Sequence, residues 1–302
     1  MVRPVFNQFE QTIKSALELT GTMALSGRAS KIFIKPAEAG SGIRFVRTDK
    51  PSHKAIVKAD WHQISKITSH YSIRNEHGVL VHRVDNLLAA LHCCGVDNAL
   101  IEIEGSEVPF VHKQPAKFIK AIRKTGVIKQ LKEKQLIWIN KQVEVKVNGI
   151  YATFMPAPAS RISFNDLSQQ QDNIQIYSFL HPHFAGSHNS SLQYIQQLKS
   201  IHDQEVIVPN RINEIINLSD LPGITAPTQN KNENVNRNAV VSILSTIALT
   251  GTTLIGHLYT NNPNNEVLHL LIRTLFNDSN HWSKHSYSKF QNTSNNQIEG
   301  AN

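Results

Sequence analysis

The chain of 302 residues is long enough for two domains that each bury a hydrophobic core. Hydrophobic residues make up 40% of it, which is ordinary for a soluble globular protein, and the N-terminus lacks the apolar segment of a signal peptide, which argues against secretion. The net charge is +8, but no aromatic platform accompanies the lysines between Lys113 and Lys146, so we expect a solvated face or an anion-attracting surface and no nucleic-acid partner.

In the first half, alternation of polar and apolar residues predicts strands, and 3.6-residue periodicity ending at glycine predicts helices. Residues 11–24 are typical of a short strand or a turn of helix. The predicted strands are residues 31–35, 43–47 and 99–103, and the predicted helices are residues 85–94, before Gly95, and 114–124, before Gly126.

The second half repeats this mixture of strands and helices. Two alternating segments between Leu136 and Val147 are typical of paired strands, followed by a turn at Gly149. Further strands are predicted at residues 174–180, 205–208 and 254–259, and helices at 191–201, 235–250 and 266–276. We therefore predict an α+β chain with a first domain at 1–127, a second at 128–277 and a disordered tail at 278–302.

The longest uncharged run extends from Asn238 to Asn265 and raises the question of a membrane span. Serine, threonine and glycine interrupt it, so we interpret it as a buried helix, a turn and a buried strand, with no transmembrane segment. The only cysteines, Cys93 and Cys94, are adjacent and would form a strained disulfide, which favours a reducing cytoplasm.

Several segments resemble the zinc-dependent UDP-3-O-acyl-N-acetylglucosamine deacetylases of lipid A synthesis. In the first half these are EQTIKSALELTG (10–21), PAEAGSGIRFVRTD (36–49) and VDNLLAALHCCGVDNALIEIEGSEVPF (84–110). In the second half they are the His181-Pro182 pair, RNAVVSILSTIALTG (237–251) and NNEVLHLLI (264–272).

The resemblance implies two similar α/β sandwich halves whose helical layers face each other across the active site. The reaction that it implies is metal-assisted hydrolysis of an acetamide on an acylated UDP-sugar. The family holds zinc with two histidines and an aspartate, and it uses a glutamate as base, a further histidine as acid and a nearby lysine.

At the positions that match this machinery the chain carries different residues. Asp85 stands at the base and Asn265 at the acid, while Ala239 replaces the lysine. The former metal-ligand positions are Asn86, Asn238 and Ser242. We take Asp85, Asn86, Arg237, Asn238, Ser242 and Asn265 as the residues of the candidate pocket.

Amide and hydroxyl groups are poor zinc ligands, so we expect no metal cofactor here. Without a metal, water keeps its ordinary pKa and is a weak nucleophile. We also expect the serine and asparagine side chains to satisfy each other by hydrogen bonds. Segments that contact the substrate in the family differ as well, at Leu25 and at residues 112–114.

Other groups offer alternative sites. His181, His183 and His188 could form a replacement metal site or be surface histidines of a loop. His82 and His92 flank the start of the 85–94 helix, but we expect unrelated positions, and Cys93 has no recognisable base, which favours core packing.

These observations lead to a catalytically inactive homologue with a binding or regulatory role in lipid A biosynthesis, in the cytoplasm of a Gram-negative cell. Its expected partners are a UDP-sugar or acyl-sugar and regulators of the active deacetylase. The alternatives are a divergent enzyme that still deacetylates through Asp85 and nearby histidines, and an interaction module that binds no small molecule.

Overall fold

A computed structural model describes residues 8–24, 27–67, 70–111, 115–157, 160–165, 176–180 and 231–288. The strands of its first part are β1 (Phe9–Ile13), β2 (Leu17–Thr22), β3 (Ala29–Pro36), β4 (Ile43–Arg47), β5 (Ile56–Lys58), β6 (Ile64–Ile67), β7 (Tyr71–Arg74), β8 (Leu80–His82) and β9 (Ala99–Ile103). They form a five-stranded sheet in the order β2-β3-β9-β4-β5 and a three-stranded sheet in the order β6-β7-β8.

Two helices complete this part, α1 (Asp85–Cys93) and α2 (Ala116–Thr125). Helix α1 buries Leu87, Leu88 and Leu91, the spacing that places side chains on one helical face. It ends before Gly95, which adopts a left-handed φ of 72° that favours glycine.

The later strands are β10 (Val127–Glu133), β11 (Gln135–Ile139), β12 (Val143–Val147), β13 (Ile150–Met155), β14 (Ser160–Asn165), β15 (Ile176–Leu180), β16 (Thr253–Thr260) and β17 (Trp282–Ser286). The later helices are α3 (Lys231–Ala248) and α4 (Asn265–Asn277). Strand β10 pairs with β1, while the others form one sheet built on the order β12-β13-β16-β11-β17, with β14 joined to β15 and β16.

One hydrophobic core runs through both parts of the molecule. It joins sheet residues such as Phe45 to Leu88 of α1, Leu244 of α3 and Leu271 of α4. Helices α1 and α3 pack against each other, and α3 also contacts α4. The α+β class is confirmed, and this packing brings the starts of α1 and α4 to the middle of α3.

Most predicted elements of the described residues are present. The strands at 43–47 and 99–103 have the predicted bounds, and the uncharged run is a helix, a turn and the buried strand β16. Within the described part of the chain, no helix combines the length and the apolar character needed to cross a bilayer.

Two predictions are wrong. The strands between Leu136 and Val147 do not pair with each other, because β11 lies between β16 and β17 whereas β12 pairs with β13. The predicted tail is ordered at its start, since β17 pairs with β11 despite its polar sequence, WSKHS. The domain boundary near residue 127 stays a prediction. The predicted elements at 191–201 and 205–208 lie outside the described residues.

Candidate ligand site where three helices meet

Three of the sequence-predicted site residues lie around one tyrosine. Asp85 begins α1, Ser242 lies in the middle of α3, and Asn265 begins α4. Tyr71, at the start of β7, is fully buried and extends between them. The site is therefore built from one strand and three helices that are distant in sequence.

The carboxylate of Asp85 is held by the backbone of Tyr71. Asp85 is 2% exposed, and its Oδ1 accepts a hydrogen bond of 2.8 Å from the Tyr71 N–H. Val84, which precedes α1, provides no side-chain cap. Asp85 lies in the first turn of α1, where the helix dipole stabilises a negative charge. Backbone and helix together fix this side chain.

The Tyr71 hydroxyl joins α3 to α4. It lies 2.7 Å from Thr246 Oγ1 and donates to the Asn265 carbonyl at 3.0 Å. Thr246 Oγ1 in turn donates to the Ser242 carbonyl at 2.6 Å, one helical turn earlier. The hydroxyl groups of Tyr71 and Thr246 therefore make three short oxygen–oxygen contacts: one with each other, one with the Asn265 carbonyl and one with the Ser242 carbonyl. The backbone N–H of Tyr71 connects this network to Asp85.

Tyr71 remains a neutral phenol in this network. Burial raises its pKa above the ordinary value, and the nearby negative charge of Asp85 acts in the same direction against the opposing hydrogen bond from Thr246. The Tyr71 hydroxyl therefore keeps its proton and acts as a donor at physiological pH.

In the part of the chain that the structure describes, two buried oxygens of the site accept no hydrogen bond, namely Asp85 Oδ2 and Asn265 Oδ1. His70 Nδ1 lies 3.3 Å from Asp85 Oδ2, close enough for an ion pair but outside hydrogen-bond geometry. Asn265 is only 6% exposed. The prediction that serine and asparagine satisfy each other is therefore wrong for the side-chain oxygen of Asn265, which receives no hydrogen bond from the described residues.

The other sequence-predicted residues flank this cluster. Asn86 follows Asp85 in α1 and is half-buried, while Asn238 is exposed on α3, one turn before Ser242. Ala239 is buried in the core, where a lysine would lose its hydration. The backbone of Arg237 lies in α3, and its side chain is outside the described set.

The sequence was compared with known protein families and with individual proteins. A model of the family "UDP-3-O-acyl N-acetylglycosamine deacetylase" matches residues 10–277, nearly the whole chain. The chain belongs to this deacetylase family.

Individual relatives carry the name UDP-3-O-acyl-N-acetylglucosamine deacetylase. The protein from Geotalea uraniireducens is 26% identical over 281 residues, 91% of each chain. That from Citrifermentans bemidjiense is 24% identical over 273 residues, 88% of each chain, and that from Shewanella pealeana is 31% identical over 157 residues, 52% of this chain and 51% of its own. The likeness therefore covers both halves of the fold.

Among the described residues, those of the candidate site do not fit a zinc ion. A zinc site takes at least three protein ligands from histidine, cysteine and carboxylate side chains. Asp85 and His70 supply two groups of this kind, while the remaining oxygens belong to amide, hydroxyl and backbone groups. Across the described residues, no three histidine, cysteine or acidic side chains lie together as a metal site.

Sequence reasoning missed Tyr71, Thr246 and His70. The sequence could have indicated Thr246, because it lies four residues after Ser242 and so shares the same face of the helix. Tyr71 and His70 had none, since they lie 14 and 15 positions before Asp85 in a region where we predicted no element. Only the pairing of β7 within its sheet brings them to the start of α1.

The alternative candidates of the described residues lie elsewhere. His82 Nδ1 is 2.8 Å from Ser72 Oγ, whereas burial and the charge of Lys134 lower the pKa of His92 to about 3. Burial raises the pKa of Cys93 to about 12, so this thiol is a poor nucleophile. His181, His183 and His188, with Leu25 and residues 112–114, lie outside the described residues.

A separate cavity of about 130 Å³ opens at the far ends of α1 and α3. Lys58, His92, Asp97 and Thr253 are among its lining residues. Asp97 is already engaged, with Lys134 Nζ 2.8 Å from its Oδ1 and the Gln11 N–H donating to its Oδ2. Asp97 would therefore have to give up these contacts to bind a ligand in the cavity.

Proposed function

We propose that this chain is a catalytically inactive member of the deacetylase family, with a binding or regulatory role in lipid A (lipopolysaccharide) biosynthesis. Its ligand in this proposal is a UDP-sugar or acyl-sugar, and its protein partners are regulators of the active deacetylase. The setting is the cytoplasm of a Gram-negative cell, and no metal cofactor takes part.

One observation carries the proposal. The Tyr71 hydroxyl, bonded to Thr246 and Asn265, joins α3 to α4 beside Ser242 and Asn265, two positions that we assign by resemblance to a metal ligand and to the acid. Neutral oxygens cannot replace imidazole and carboxylate as ligands that hold a divalent cation and activate its bound water. A hydrogen-bonded polar cluster of this kind supports binding and does not support hydrolysis.

The direct test is acetate release from UDP-3-O-acyl-N-acetylglucosamine by the purified full chain. We expect no release above the protein-free background, with or without added zinc. The relative from Geotalea uraniireducens that carries the deacetylase name would serve as the positive control. Turnover that a chelator abolishes would contradict the proposal.

The proximity of His70 and Asp85 favours a second candidate, a deacetylase that works without a metal. Their atoms Nδ1 and Oδ2 are 3.3 Å apart, and an imidazole oriented by a carboxylate is a common general base. This candidate predicts slow, chelator-resistant acetate release that Asp85→Ala and His70→Ala abolish. The matched control is Glu266→Gln, which removes an exposed carboxylate from the first turn of α4.

A further inference from the structure

The segment that joins α2 to β10 carries charge of one sign. Residues 116–132 contain six cationic side chains and no acidic one. Solvated protein surfaces ordinarily intersperse both signs, so a segment of this kind attracts anions. An anion-attracting surface is one of the two alternatives that the sequence left open for these lysines, and the site around Tyr71 does not use it.

The lysines of α2 lie on the face opposite its core contacts. Phe118 and Ile122 are buried, whereas Lys117, Lys120 and Lys124 are exposed. Their spacing of three and four residues places the lysines on one side of the helix. In the described part of the chain, none of these lysines forms an ion pair with an acidic side chain.

Gly126 leads the chain directly from α2 into β10, so the exposed residues of both elements are neighbours. It has a φ of 85°, and its carbonyl accepts a hydrogen bond of 2.9 Å from the Lys14 N–H. That bond brings the turn between β1 and β2 to the same place. We call the exposed residues around Gly126 the basic corner: Lys14, Lys120, Lys124, Ile128, Lys129 and Leu131.

Two large apolar side chains of β10 are exposed at the basic corner. Leu131 is 98% exposed and Ile128 is 43% exposed. Lys129 lies between them in sequence, with its Nζ 3.8 Å from the centroid of the Phe9 ring. A dissolved anion gains nothing from the apolar side chains, whereas a bilayer surface takes up apolar and cationic groups together.

We propose that the basic corner docks this protein on the surface of an anionic lipid bilayer. Its lysines lie among the phosphate-bearing headgroups, and Leu131 and Ile128 enter the boundary between headgroups and acyl chains. Nucleic acid fits less well, because no residue of the corner offers an aromatic ring for base stacking. The docking is independent of the proposed function, since it uses a different surface from the site around Tyr71.

Flotation of the purified full chain with lipid vesicles tests this docking. One set of vesicles is phosphatidylcholine alone, and the other is an equal mixture of phosphatidylcholine and phosphatidylglycerol. We expect binding to the anionic vesicles to be at least about tenfold tighter, and to weaken as salt rises, because salt screens exposed charges.

Neutralising two lysines of α2 locates the binding surface. Lys120→Gln with Lys124→Gln should weaken binding to the anionic vesicles at least about tenfold, since each cation near such a surface contributes about fivefold. The matched control is Lys50→Gln with Lys54→Gln, which changes the net charge equally at exposed lysines before β5, at the sheet edge opposite β2. The control should bind within about twofold of the unmodified chain.

Leu131→Ser isolates the apolar contribution. We expect binding at least about threefold weaker with the same dependence on salt, because the charges are unchanged. All these side chains are exposed, so the variants should keep the melting temperature of the unmodified chain.

Four results would overturn the proposal. They are equal binding to the two kinds of vesicle, equal losses for the two pairs of lysines, full binding by Leu131→Ser, and binding of an oligonucleotide in place of the vesicles.

Discussion

At the scale of single residues, Tyr71 has the largest number of connections in the site. Its hydroxyl contacts Thr246 Oγ1 and the Asn265 carbonyl, and both partners are buried. Tyr71→Phe would keep the ring and remove the hydroxyl that contacts both buried partners. We expect the free energy of unfolding to fall by about 1–3 kcal/mol, measured by urea denaturation.

The fall in the free energy of unfolding for Tyr71→Phe can be compared with that for a tyrosine hydroxyl removed elsewhere in the fold. Tyr151→Phe removes the hydroxyl of a half-buried tyrosine that lies 3.4 Å from the Tyr259 hydroxyl, in a small cluster separate from the main core. A double variant of Tyr71→Phe with Thr246→Val should lose less than the two single losses added, because they share one contact. Strict additivity would mean that Tyr71 and Thr246 are not coupled.

The site residues show what a sequence can predict at this scale. Resemblance located Asp85, Ser242 and Asn265, because flanking motifs fix their positions along the chain. It could not locate His70 or Tyr71, which reach the site only through the pairing of β6, β7 and β8. Nor could it foresee that Asn265 Oδ1 lacks a donor, since that depends on side-chain geometry.

At the scale of elements, β16 combines full burial with polar side chains. Every residue from Thr253 to Thr260 is buried, and His257 Nε2 lies 2.8 Å from Ser163 Oγ on the parallel strand β14. Burial, with the charge of Arg161, lowers the pKa of His257 to about 3. The folded protein therefore holds this imidazole neutral.

This burial predicts a dependence of stability on pH. Between the unfolded histidine pKa of ~6.5 and the folded value of about 3, the unfolded chain binds a proton that the folded chain does not. The contribution of the neutral His257 to the free energy of unfolding is thus fully present above pH ~6.5. Below that pH it declines by about 1.4 kcal/mol per pH unit. His257→Gln should flatten the decline in urea-denaturation free energy between pH 7 and pH 5, and an unchanged slope would contradict the assignment.

Elements differed in how well the sequence predicted them. Local periodicity sufficed for β4, β9 and α1, whose apolar residues alternate or recur every three to four positions. It failed for the partners of β11, because alternation defines a strand but not its neighbour. It also failed for β17, whose half-exposed edge position requires little apolar sequence.

At the scale of the whole molecule, the deacetylase fold and its chemistry are separable. One core joins α1, α3 and α4, while the positions on α1 and α3 that we assign by resemblance to the metal ligands carry asparagine and serine. If these positions are correctly assigned, restoring the ligand types should restore a metal site. The variant Asn86→His with Asn238→His and Ser242→Asp should bind about one zinc ion per chain.

A control variant tests whether the carboxylate at position 242 contributes to zinc binding in that restored site. Asn86→His with Asn238→His and Ser242→Asn has the same two imidazoles and lacks the carboxylate. We expect it to bind zinc at least about tenfold more weakly than the variant with aspartate, since an incomplete ligand set forfeits affinity. Equal affinities would show that Ser242 does not stand at the metal position.

The central claim is that the unmodified chain forms no zinc site. Metal analysis of the purified full chain, after dialysis against zinc, tests it most directly. We expect zinc well below one ion per chain and no rise in melting temperature when zinc is added. One tightly held zinc ion per chain, whose removal lowers the melting temperature, would contradict it.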